Sequence, residues 1–132
     1  RVQVHASGDG ALREDASAAL RAALQPTRDV LVVERDPEYV LSAVFVRTAG
    51  DTLTASVATL SVHTPEAIEN MGRQWGLNAV ALQRLVAAFR GTGVLADQRL
   101  FSGRDVPTLA ADIARAFATD TLAEPRKLRR TQ

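Results

Sequence analysis

Residues 39–62 read YVLSAVFVRTAGDTLTASVATLSV, two β-branched, threonine-rich runs on either side of Ala49-Gly50-Asp51. Runs of this kind around a short Gly-containing loop pair antiparallel, because parallel neighbours need a crossover of a dozen or more residues. Residues 39–47 and 52–62 are therefore expected to form two adjacent strands.

Upstream, Val2, Val4 and Ala6 alternate with Gln3 and His5, the period of a half-buried strand, and Ser7-Gly8-Asp9-Gly10 supplies a turn. Leu12, Ala16, Ala19, Leu20, Ala23 and Leu24 then recur three and four apart, which predicts an amphipathic helix closed by Pro26. Val30-Leu31-Val32-Val33 has no polar alternation and reads as a strand covered on both faces.

Downstream, Thr64-Pro65-Glu66 announces a helix: a capping hydroxyl, a proline at the first position and an acid near the positive end of the dipole. Gly72 and Gly76 interrupt it, and Asn78 can cap a second helix with Val80, Leu82, Leu85, Val86 and Phe89 on one stripe. Residues 94–101 alternate as an edge strand. Asp105 and Pro107 start a last helix with Leu109, Ile113, Ala116 and Phe117 as its apolar stripe. The expectation is one α+β domain over residues 1–125, with a basic tail over 126–132. Its sheet is mainly antiparallel, of about five strands, with two or three helices on one face, in the order β-α-β-β-β-α-β-α.

Composition narrows function. Of 132 residues 46% are apolar and 23% charged, with a net charge of +1, so this is a folded chain whose summed field does not by itself attract nucleic acid or an anionic membrane. The absence of cysteine removes disulfides, thiolate catalysis and cysteine metal sites. The long uncharged stretch 52–65 is interrupted by Thr, Ser and His and cannot be a spanning helix. The chain opens on Arg1, and an upstream segment is expected to precede it: a signal peptide, a lipid attachment site or a further domain.

The candidates for chemistry are weak. His63 and Glu66 straddle a helix cap and lack a third ligand, and His5 sits on the polar phase of its strand. Ser7-Gly8-Asp9-Gly10 lies where a phosphate loop would, but without the required glycine spacing or a Gly-Lys-Ser/Thr. Asp9, Glu14, Asp15, Asp36 and Glu38 read as solvated charges. No catalytic, metal or cofactor-binding residue is therefore assigned. Met71-Gly72-Arg73-Gln74-Trp75-Gly76 stands out instead, since Trp and Arg are frequent in binding hot spots and Met adapts to irregular surfaces; the competing reading makes Trp75 a lid over the core. Met71, Arg73, Trp75 and Phe101 are the candidate interface residues. The sheet's free edges are a further expected site, for strand addition.

Residues 39–55 resemble the central hairpin of the TolB amino-terminal domain and its CsgG-like and LpoB-like relatives among bacterial envelope proteins. Val30-Leu31-Val32-Val33-Glu34-Arg35 is similar to that family's opening, and residues 94–103 and 109–117 to its closing strand and final helix. The chain departs from the family in lacking a helix between the second and third strands, and in filling a tight turn with residues 64–93, which read as an insertion. Auxiliary lipoproteins of lipid-transport ABC systems share a similar arrangement. The resemblance implies a non-enzymatic, periplasmic or outer-membrane-associated domain of a Gram-negative bacterium, acting as an adaptor or assembly factor. Its implied partner is another envelope protein, with homo-oligomerisation and peripheral membrane association through an upstream anchor as companions, and no nucleic acid. The alternative is a small-ligand or phosphate binder, nucleic acid included, that uses the Arg-rich turns and the tail Arg126-Lys127-Leu128-Arg129-Arg130.

Overall fold

A computed structural model of the chain describes residues 1–48 and 50–123. Four strands and four α-helices follow one another as β1 (Val2–Ser7), α1 (Ala11–Leu24), β2 (Tyr39–Arg47), β3 (Leu53–Val62), α2 (Pro65–Gln74), α3 (Ala79–Phe89), β4 (Gly93–Gly103) and α4 (Val106–Ala116), with a π-helical turn at Phe117–Thr121. The sheet runs β1-β2-β3-β4 in space, β1 parallel to β2 and the other two pairs antiparallel. The class is α+β. The expected hairpin is its centre, with Phe45 opposite Ala55 and Leu41 opposite Thr59.

The strand expected at 30–33 does not form. Only Val32 bridges, to Val2, with Val2 donating to the Leu31 carbonyl and Val33 donating back to Val2. Asp29 and Asp36, both at positive φ (68° and 52°), turn the chain on either side of this short run, and Leu31 is left 62% exposed instead of covered on both faces. The parallel partner of β1 is β2. The sheet thus has four strands and is mixed, one strand fewer than expected.

Alternation along β2 and β3 sends Leu41, Ala43, Phe45, Leu53, Ala55 and Val57 to one face, all buried. The buried stripe of α1 (Leu12, Ala16, Leu20, Leu24) and that of α4 (Leu109, Ala110, Ile113, Ala114) close over them and pack on each other. Tyr39 and Phe117 meet edge to face with ring centroids 5.7 Å apart. The opposite face carries no helix from the α1–α4 layer; its exposed side chains include Val44, Val46 and Leu100.

β4 is an edge strand, and its edge is guarded. Residue 96 has no partner in the register, a bulge between Thr59 and Leu60 of the neighbouring strand. Beyond it Asp97 and Arg99 lie opposite the buried Thr59 and Val57, so charged side chains point to the core side, where Arg99 donates to Asp97 at 3.0 Å and to Asp120 at 2.7 Å. A bulge and inward charges both oppose strand addition. The far edge, at β1, is partly occupied by residues 31–33. Strand addition, the binding mode expected of free edges, is thus opposed at β4, while at β1 residues 31–33 occupy the edge beside Val2 only.

Phe45 is 1% exposed and sits where both helices meet the hairpin, so Phe45→Ala should lower stability by about 3–5 kcal/mol. Urea unfolding followed by circular dichroism should show the midpoint falling with the m-value nearly unchanged.

Candidate functional site

Between β3 and β4 the chain leaves the sheet as a helical hairpin. Thr64 caps α2, its Oγ1 accepting from the Ala67 N–H at 3.2 Å, with Pro65 at the first position, and Asn78 caps α3 by accepting from the Ala81 N–H at 2.9 Å. Gly76, at φ 76°, makes the turn between them. Gly72 is buried against α3: a Cβ there would lie 2.4 Å from a Leu82 methyl, so its lack of a side chain brings the two helices close. The helices pack on each other, and neither makes an extended contact with the sheet.

The consequence is an unusual α3. Its sequence, AVALQRLVAAF, is apolar on nearly every side, yet none of its residues is buried. Helices apolar all round ordinarily lie inside a core. Here Val80 is 59% and Phe89 51% exposed. Facing α2, Leu85 and Phe89 join His63, Ala67, Ile68, Met71 and Trp75 around an apolar groove of about 270 Å³.

The structure brings Met71 and Trp75 together, one helical turn apart on this groove, and separates them from the other two candidates. Trp75 is 66% exposed, so it is not a core lid. Arg73 lies off the groove and donates to Glu69 at 3.4 Å along its own helix. Phe101 points to the core side of β4, opposite Ala55, and packs half-buried against the core, so it leaves the candidate interface; its neighbour Leu100 is the exposed one. Phe89 and Leu85 were legible only as a helix stripe. Their role on the groove comes from the hairpin standing off the sheet.

The remaining candidates are solvent-facing. His63 and Glu66 share an open cleft of about 200 Å³ with Arg1, Asp36 and Arg90, in which Arg90 pairs with Asp36 at 3.6 Å. Among the described residues no group of three or more His, Asp or Glu could hold a metal ion, and no helix is long and apolar enough to cross a membrane. Ser7 to Gly10 is a strand-to-helix turn in which Gly10 takes φ 54° and the Leu12 N–H bonds to the Asp9 carbonyl. Asp9, Glu14 and Asp15 are exposed. The basic tail lies outside the described residues.

Beside β1 a wide polar cleft is lined by Gln3, His5, Arg13, Ser17, Arg21 and Glu34. Within it Arg21 donates to Glu34, which ties α1 to the segment before β2, and this hydrogen bond, with the guanidinium charge behind it, lowers the Glu34 carboxyl from its ordinary value. The Thr108 N–H does the same for Asp105, the cap of α4. Comparison with protein-family models, with curated proteins and with solved structures finds no match.

Trp75 is the only tryptophan, so the intrinsic emission should have the long-wavelength maximum of a hydrated indole and be quenched efficiently by acrylamide. A short-wavelength, shielded emission would return Trp75 to the core. Acid should act through the two carboxyls: each has a folded pKa below its unfolded value near 4, so its contribution is complete above that range and is lost as pH falls through the folded value. Glu34→Gln should therefore flatten the acid side of a plot of melting temperature against pH while leaving the neutral side nearly level.

Proposed function

We propose that this chain is a non-enzymatic protein-binding domain of a Gram-negative cell envelope, periplasmic or outer-membrane-associated, which serves as an adaptor or assembly factor. The observation that carries the reading is the α2–α3 hairpin: an apolar groove with Trp75, Met71 and Phe89 at its surface, held away from the sheet by two capped helices. Isolated domains rarely leave such groups together in water, and aromatic and methionine anchors in a pocket are what protein interfaces concentrate at their centres. An amphipathic segment of the partner, presenting apolar side chains at helical spacing, fits a groove of this size and chemistry. The envelope assignment is supported by the resemblance of residues 30–35, 39–55, 94–103 and 109–117 to TolB-like, CsgG-like and LpoB-like domains, and rests on that resemblance alone.

Site-specific photo-crosslinking at Trp75 in the native cell tests the proposal. The expected result is one dominant envelope-protein adduct that disappears when Phe89→Asp places a charge in the groove, and that persists at raised salt because the contact is apolar. No adduct at Trp75, together with binding of a phosphate-bearing ligand that weakens steeply with salt, would replace this reading by the phosphate-binding one.

A further inference from the structure

We infer that the sheet face opposite α1 and α4 is a docking surface for a second copy of this chain, and that two copies pack these faces together as a sandwich. Charged residues make up 23% of the chain, yet no outward position of β1–β4 holds an Asp, Glu, Lys or Arg. A sheet face that remains in water ordinarily alternates to polar and charged side chains. Here the outward residues of β2 include Val44 and Val46, 46% and 48% exposed, and β4 adds Leu100, which at 75% is the most exposed large apolar side chain described.

The relief of this face is self-complementary. Cross-strand register places Val44, Ser56 and Leu100 in one row and Val46, Thr54 and Ser102 in the next. The small side chains of β3 thus form a furrow, flanked by the valines of β2 and by Leu100. A two-fold axis lets each Leu100 seat in the partner's furrow, since an isologous contact needs one surface to carry both the projection and its recess. The area suffices. β2, β3 and β4 contain 9, 10 and 11 residues. At ordinary strand spacing and rise they offer a face of roughly 14 by 30 Å, or about 600–800 Å² of accessible surface once side-chain relief is included, near the 800 Å² per partner of a standard interface. This surface is separate from the hairpin groove, so the inference goes beyond the proposed function and can fail independently of it.

Sedimentation equilibrium from micromolar to near-millimolar concentration tests it. The expected mass is twice 14.2 kDa for the unmodified chain and 14.2 kDa for Leu100→Asp and for Val44→Lys, each weakening association by about a hundredfold or more, with far-ultraviolet dichroism retained because the two side chains are 75% and 46% exposed. Trp75→Ala should remain a dimer. A monomeric unmodified chain, a dimer that survives both face substitutions, or a dimer that Trp75→Ala alone dissociates would each overturn the inference, the last by placing self-association on the hairpin. Loss of crosslinking at Trp75 with an intact dimer would count against the proposed partner groove only.

Discussion

Phe45, Ala43 and Leu41 leave β2 on one side while Val44 and Val46 leave it on the other, and this period-two division governs the rest of the molecule. The buried set, joined by Leu53, Ala55 and Val57 of β3, is the floor on which α1 and α4 close, and a slip of one residue in the β2–β3 register would empty that floor into water. The helices need no surface beyond this one. Their stripes meet each other as well as the sheet, so the core is complete without α2, α3 or the outer face. That completeness is why those two regions are available for other work.

Much of the architecture was legible because it is locally encoded. The hairpin follows from two β-branched runs around a Gly-containing loop, and the starts of α2, α3 and α4 follow from Thr64, Asn78 and Asp105, whose side chains each accept a hydrogen bond from a backbone N–H of the first turn. The run Val30-Leu31-Val32-Val33 misled because β-branched composition cannot report the turns around it; with Asp29 and Asp36 both at positive φ, the segment is held to one bridge. The bulge in β4 was equally invisible, since nothing in Val94-Leu95-Ala96-Asp97 marks which residue loses its partner. It shifts Leu95 onto the outward face, although simple alternation groups it with Asp97 and Arg99.

The candidate site was half legible. Trp75 and Met71 were found by residue type and flanking glycines, which is chemistry that survives without coordinates. Arg73 and Phe101 were chosen by the same criteria, but the fold sets them apart from the groove: Arg73 lies beside Glu69 on an exposed face of its helix, and the core face of β4 holds Phe101. Conversely, the apolar side chains of α3 were legible only as one stripe of a helix, and helices apolar all round are usually buried. Only the placement of the hairpin off the sheet turns the same residues into a surface.

The guarded edge of β4 bears on how far any assembly of this chain can grow. Strand addition is open-ended, since each new strand presents another edge, and an unprotected β4 would template fibres as readily as pairs. With Arg99 turned toward the core side and held between Asp97 and Asp120, that route is opposed at the step where it would begin. A two-fold contact made through a face, by contrast, is used up once filled. Growth of a fibre from the β4 edge is thereby disfavoured, and association is directed to surfaces that do not renew themselves.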